Sequence, residues 1–353
     1  MISERIDKII KEILPLEDDF RTKARERLDS LTKPQGSLGR LEELAAEIVA
    51  IRRDLRPELK KRIFAVFAGD HGVAEEGVSA FPPEVTPQMV FNFLRGGAGI
   101  NILAKAAGAE VAVVDIGVNY EFENVKGLIN KKVMKGTRNM VKGPAMTMEE
   151  AVKSVEAGID VAFRYADDGY NLFGTGEMGI GNTTPSSAIV SVFSGLSPHE
   201  VTGRGTGVND GSFENKVSII ENAIKLNRPD ASNPMDVLAK VGGTEIGGIA
   251  GFCIGAASRR IPVLIDGFIS TAGALIACKM APSVRDYIFS SHQSVEKGHI
   301  KMLEIMGLRP LVNLDLRLGE GTGAAIGMMI VESALRIYND MSTFEEAQVS
   351  ESN

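Results

Sequence analysis

Five short runs punctuate the middle and end of this chain: IFAVFAGDHG, VAVVDIGV, YNLFGTGEMG, IPVLIDGF and LVNLDLRLGEG. Each is rich in strand-forming residues and runs out in glycine beside a polar or acidic residue, and most are apolar at consecutive positions. A strand apolar on both faces must be covered on both faces, the condition of a parallel sheet between helical layers. Stretches with apolar residues at helical spacing lie between the runs. The alternation predicts a doubly wound α/β fold, a mostly parallel sheet flanked by helices. In such sheets ligands bind beyond the carboxyl ends of the strands. Glycines and acids gather at those ends here, which places a candidate site before any motif is considered.

The N-terminal region has another texture. Ile2, Ile6, Ile9 and Ile13 share one helical face, and Leu38, Leu41, Leu44, Ile48 and Ile51 repeat the pattern. Between them LTKPQGSLG is turn-rich, with Ser37 expected as an N-cap. Thr147-Met-Glu-Glu150 and Ser197-Pro-His-Glu200 fit capping boxes. Ser212 is expected to cap a helix whose apolar face is Val217, Ile220, Ala223 and Ile224. The polar, acidic tail after Tyr338 is expected to fray.

The net charge of −7 offers no general attraction to nucleic acid or anionic lipid. The opening MISERIDKIIKEIL lacks the uninterrupted apolar core of a signal peptide. The apolar stretches GGIAGFCIGAA and AAIGMMIVESAL fall short of the roughly 18–20 residues a membrane span needs. A soluble, cytoplasmic protein with no nucleic-acid or membrane partner is expected. Cys253 and Cys278 stand alone, as buried thiols in a reducing compartment do. The four histidines, 71, 199, 292 and 299, show no metal-ligand spacing, so no metal or other cofactor is expected. Ser290-Ser-His292 lacks the G-x-S-x-G frame of a nucleophilic serine.

FGTGEMGIGNTTPSSA contains a literal G-x-G-x-x-G at Gly174, Gly176 and Gly179. A dinucleotide site also needs an acid at a strand end about 20 residues on, and none stands there. What survives is physical: glycines let backbone N–H groups approach a phosphate. A second loop, Thr202 to Asp210, alternates Gly203, Gly205 and Gly207 with Arg204 and Thr206, and Lys216 follows two helical turns later. It reads either as a flexible connection or as a phosphate cradle, and two such loops favour a phosphorylated ligand. Gly176, Gly203, Arg204, Gly205 and Thr206 are the phosphate- or ribose-binding candidates. Glu177 and Glu320 are both flanked by glycines at the ends of apolar runs. A carboxylate in a water-poor cleft has its pKa raised and can act as a general base near neutral pH. The same acids could equally cap a helix or pair with a lysine.

The ordered motifs run from LTKPQGSLGRLEELA at 31–45 to GEGTGAAIGM at 319–328. Between them stand VFAGDHGVAEEGVSAFPPEVTPQMV, GEMGIGNTTPSSA, GRGTGVND, GGTEIGGIAG, PVLIDGFISTAGAL and SHQSVEKGH. Together they span nearly the whole chain and resemble the nicotinate-nucleotide–dimethylbenzimidazole phosphoribosyltransferase family of cobalamin nucleotide-loop assembly. The resemblance implies transfer of phosphoribose from nicotinate mononucleotide to 5,6-dimethylbenzimidazole, with inversion at the anomeric carbon. It implies Glu320 as catalytic base, Glu177 as a second active-site acid and Lys216 beside the substrates. Ser79, Phe81 and Gln88 would line the benzimidazole pocket. Family members often carry tyrosine where Phe81 stands, which bears on the preferred base. The resemblance also implies a large α/β domain (61–323), a small helical domain (1–60 with roughly 324–353), and a homodimer with the site near its interface. Transfer to another base, a silent nucleotide sensor and an NAD-dependent dehydrogenase are the competing readings.

Overall fold

The apolar run at 63–69 forms the middle of the sheet. The computed structural model describes residues 3–203 and 210–350, with backbone alone at 210–212. Helices α1 (Glu4–Lys11), α2 (Asp18–Ser30) and α3 (Arg40–Arg52) precede strand β1 (Arg62–Gly69). Next come α4 (Val85–Arg95), α5 (Gly99–Ala106), β2 (Glu110–Gly117), β3 (Leu128–Asn130), α6 (Met148–Asp167) and β4 (Leu172–Met178). Helices α7 (Thr183–Ser194), α8 (Pro198–Val201), α9 (Asp210–Asn227), α10 (Pro234–Val241) and α11 (Thr244–Ser258) lead to β5 (Val263–Ile265). The chain ends through α12 (Phe268–Met280), β6 (Ile288–Ser290), α13 (Lys297–Met306), α14 (Thr322–Asp340) and α15 (Phe344–Ala347).

The strand order is β3-β2-β1-β4-β5-β6, and every strand pair is parallel. The sheet is thus doubly wound, as the alternation of runs predicts, and its order reverses between β1 and β4. Register pairs Val66 with Gly176 and Phe67 with Glu177, so both central strands deliver their last residues to one edge.

Helix α11 is buried at every position from Thr244 to Ala257, which explains why GGIAGFCIGAA is apolar all round. It lies against α6 with backbones nearly touching. A Cβ on Gly158 would stand 1.9 Å from the Gly248 carbonyl oxygen, and one on Gly251 would stand 1.8 Å from that of Val155. Only glycine permits that approach. Among the described residues no helix is long and apolar enough to cross a membrane. Helices α2, α3 and α14 pack together, and Leu44, Ile48, Ile51 and Leu335 join the same continuous core as the sheet.

Several local expectations are corrected. The run 311–321 is not a strand: Leu311 and Val312 pair briefly with the end of β6, then the chain lifts away with Leu314 and Leu318 exposed. The sheet ends at β6 instead, whose three residues carry too short a signal to read. Ser37 caps nothing; the N-cap of α3 is Gly39, at φ 51°. Ser212 lies inside α9, which starts at Asp210. The tail does not simply fray, because a Thr343–Glu346 capping box starts α15 and Thr343 bridges Leu31. The capping boxes at Thr147 and Ser197 form as read.

Candidate active site

Where the strand order reverses, a cavity of about 730 Å³ opens beyond the carboxyl ends of β4 and β5, within the roughly 300–1,000 Å³ of small-molecule sites. Five acids line it, and three of them gather at its base: Glu177 near the end of β4, Asp266 directly after β5, and Glu320 in the turn before α14; Glu296 and Asp315 are the others.

Glu177 is buried, accepts a hydrogen bond from the Asn182 side-chain amide and a long one, 3.4 Å, from the backbone N–H of Glu320. Burial pushes its carboxyl up to about 8, and the negative charge of Asp266 acts in the same direction. Asp266 accepts from the N–H groups of Gly323 at 2.7 Å and Ala324 at 3.1 Å through Oδ1, and from Gly321 at 3.1 Å through Oδ2. It therefore caps α14, whose own N-cap, Gly321, has no side chain to offer. His292 Nε2 stands 3.7 Å from Oδ1. Burial raises the Asp266 carboxyl, against the pull of His292 and these amides.

Glu320 is buried and adopts the left-handed backbone, φ 63°, between Gly319 at 82° and Gly321 at 108°. A non-glycine residue there costs roughly 1–3 kcal/mol and marks a position the surrounding structure enforces. Its Oε2 accepts from the Ile100 N–H at 3.1 Å, at the N-terminus of α5. Burial raises its pKa, the Ile100 amide lowers it, and Asp266 raises it further. The two sequence readings of this acid thus meet in one side chain, which caps α5 and also faces the cavity.

Lys216 projects from α9, is buried, and donates to Thr183 Oγ1 at 2.6 Å. Burial lowers its ammonium to about 8, with Glu296 opposing. Thr183 and Glu296 both line the cavity. Gly203 is buried against Glu296, its missing side chain leaving room for that carboxylate. Arg204, Gly205 and Thr206 lie outside the described residues. Gly174 and Gly176 do not belong to a phosphate loop: both are strand residues of β4. A Cβ on Gly176 would meet the Glu320 carbonyl oxygen at 2.1 Å, so this glycine lets the Glu320 turn sit on the sheet.

The profile of the phosphoribosyltransferase family matches residues 13–349. A nicotinate-nucleotide–dimethylbenzimidazole phosphoribosyltransferase from Citrifermentans bemidjiense is 56% identical over 349 residues, covering 99% of this chain and 100% of that protein. The protein of the same name from Geobacter sulfurreducens is 57% identical, covering 98% of each chain. The crystal structure of the Thermus thermophilus protein of that name superposes with a TM-score of 0.90 at 45% identity, covering 96% of this chain and 100% of that one. This chain belongs to that phosphoribosyltransferase family.

For a phosphoribosyltransferase the remaining question is which residues wall the site. Phe81 lines the cavity and is 53% exposed. Ser79 and Gln88 do not line it. Ser79 Oγ accepts from the Phe81 N–H at 3.2 Å and shapes the turn, whereas Gln88 points to solvent from α4. The α4 residues on the cavity are Val85 and Met89, four apart on one face. The sequence reading missed Asp266, His292, Asn182 and Thr183. Asp266 had a signal, the acid closing IPVLIDGF, whereas His292 had none beyond its motif. Asp70 and His71, adjacent just after β1, do not join the site: His71 Nε2 meets Glu245 Oε1 at 2.8 Å, both buried and off the cavity. Among the described residues no group of three or more His, Cys, Asp or Glu is arranged to hold a metal ion.

Proposed function

We propose that this phosphoribosyltransferase moves the phosphoribosyl group of nicotinate mononucleotide to 5,6-dimethylbenzimidazole, giving α-ribazole 5′-phosphate and nicotinate with inversion, a step of cobalamin nucleotide-loop assembly. The names of its relatives support the substrates. The observation that carries the mechanism is Glu320: a buried carboxylate on an enforced left-handed turn, its pKa raised, facing a cavity walled by Phe81, Val85 and Met89.

The chemistry needs one base. The pyridinium of nicotinate mononucleotide leaves with the C1′–N electron pair and needs no proton. One benzimidazole nitrogen attacks C1′ from the opposite face, and the proton on the other nitrogen passes to Glu320. General-base catalysis contributes roughly 10²–10⁴-fold. Holding two bound reactants for in-line attack supplies further acceleration. Glu177, pushed up to about 8, keeps its proton in the empty cavity at neutral pH; a bound pyridinium favours its charged form, which then stabilises a developing oxocarbenium ion.

In this reading the protein works in the cytoplasm as a homodimer on small molecules, without metal or other cofactor. The packing of α2, α3 and α14 supports a small helical part (1–60 with roughly 324–353) beside the α/β part (61–323). Incubation with nicotinate mononucleotide and a panel of bases, followed by product identification, tests the assignment. It falls if 5,6-dimethylbenzimidazole is consumed no faster than adenine.

A further inference from the structure

We propose that Asp266 is the positioning residue of this transferase, a buried carboxylate that takes no part in the chemistry and holds the Glu320 turn on the sheet. The proposal rests on Glu320 being the base. The segment before Glu320 has little else to hold it: after Val312 it forms no strand, and residues 313–315 and 317–318 are exposed. What fixes the turn comes from two strand ends. Glu177 reaches the N–H of Glu320 itself, and Asp266 gathers the N–H groups of Gly321, Gly323 and Ala324.

The cap is unusual in where it originates. A helix commonly caps itself with a serine, threonine, aspartate or asparagine at its own first position. Such a local cap settles the helix end but not its place on the protein. Here Gly321 occupies that position, and the cap is delivered from the end of β5, so it ties the start of α14 to the sheet. Asp266 is itself held, its N–H donating to Thr175 Oγ1 of β4 at 3.2 Å. The line Thr175, Asp266, Gly321, Glu320, Ile100 thus runs from strand to strand to turn to helix α5. Glycines let the parts close together: a Cβ on Gly323 would collide with the His292 ring.

The carboxylate also acts on the base through its charge. Glu177 from β4, His292 from the loop after β6, the Gly267 N–H at the start of α12, and Glu320 with the three amides from the α14 turn are the charged, titratable or donor groups that face Asp266. Its charge raises the pKa of Glu320.

The test is a double-mutant cycle read in kcat, KM and pH. Asp266→Asn keeps one oxygen for Gly323 and Ala324 but turns an NH₂ toward the N–H of Gly321. It should lower kcat about 10²-fold, as misplacement on the ångström scale does, with both KM values within a few-fold. The ascending limb of kcat/KM should move to lower pH, since a neighbouring negative charge is gone. Asp266→Glu, which keeps the charge and shifts the carboxylate, should lower kcat without that move. In the Asp266→Asn/Glu320→Gln double variant the rate should be no lower than in Glu320→Gln alone. A folded Asp266→Asn enzyme with wild-type kcat overturns the proposal, and so do losses that multiply in the double variant. If neither Asp266 variant folds, by circular dichroism with saturating nucleotide, the residue is structural and the proposal is likewise overturned. A Glu320→Gln enzyme at the wild-type rate sinks the base assignment instead, which keeps the two failures distinct.

Discussion

Gly176→Ala is the substitution that separates the two roles available to the glycines of β4. A Cβ at this position would stand 2.1 Å from the carbonyl oxygen of Glu320, 2.9 Å from its carbonyl carbon and 3.0 Å from Val66 Cγ2. The first contact is with backbone and cannot be relieved by a rotamer change. Reaching the 3.0 Å that real Cβ contacts respect requires the Glu320 carbonyl to retreat by about 0.9 Å. A displacement of that size at a reacting group costs on the order of 10²-fold in rate. Overpacking of this kind also costs roughly 1–3 kcal/mol of stability, read by urea unfolding. The assay is release of nicotinate from nicotinate mononucleotide, followed by chromatography at several concentrations of each substrate. We expect kcat to fall about a hundredfold while KM for the nucleotide holds. If Gly176 instead cradled the phosphate, KM would rise and kcat would hold, and that outcome would refute the packing argument.

Three further outcomes follow from the same geometry. Glu320→Gln retains an oxygen for the Ile100 N–H, so the fold should persist while kcat falls roughly 10²–10⁴-fold; a wild-type rate removes the base. Lys216, lowered to about 8 by burial, is charged below that pH and neutral above it, so nucleotide affinity should weaken roughly tenfold between pH 7 and 9. Isothermal titration checks this, and Lys216→Met should bind weakly with no such dependence. His299, which bonds Thr271 Oγ1 and the Ser294 N–H, is pushed down to about 3 by burial. The unfolded chain takes up that proton near pH 6.5 and the folded one does not, so this stability is complete above pH 6.5 and is lost as pH falls towards 3. Between pH 7 and 5 the wild type should lose about 2 kcal/mol more than His299→Gln, measured by urea unfolding at each pH.

The sheet was legible because its long strands are apolar at consecutive positions and alternate with helical stretches, the pattern of a parallel sheet covered on both faces. β3 and β6 were not legible: each has three residues and, unlike the equally short β5, neither stands in a longer apolar run. The run at 311–321 misled for the opposite reason: its apolar residues alternate convincingly, yet beyond β6 there is no further strand to pair with among the described residues. Glu177 and Glu320 stand out through the glycines beside them, and those glycines make room for the two acids. Gly176 and Gly319 are small because the Glu320 backbone and the Glu177 carboxylate need the space. Gln88 stands beside Met89 on α4, yet Met89 lines the cavity and Gln88 is exposed. The loop after Val78 enters the site, but only the folded packing decides which face of α4 follows it.

The acids also decide how a nucleotide can lie. A helix N-terminus is a ready anion site, and those of α5 and α14 both stand at the Glu320 turn. Each already holds one of the protein's own carboxylates, Glu320 on α5 and Asp266 on α14. A phosphate brought to either would displace a carboxylate and meet the other two at close range in a water-poor cavity, where like charges repel strongly. The start of α7 differs. Its N-cap Asn182 turns its side chain to Glu177 and makes no side-chain cap to its own helix, while Thr183 meets the Lys216 ammonium. On our reading the phosphate therefore lies toward Thr183 and Lys216, and the cationic ring and C1′ lie over Glu177 and Glu320. That orientation puts the phosphate beside an ammonium and the pyridinium beside carboxylates, and leaves the apolar wall of Phe81, Val85 and Met89 for the incoming base.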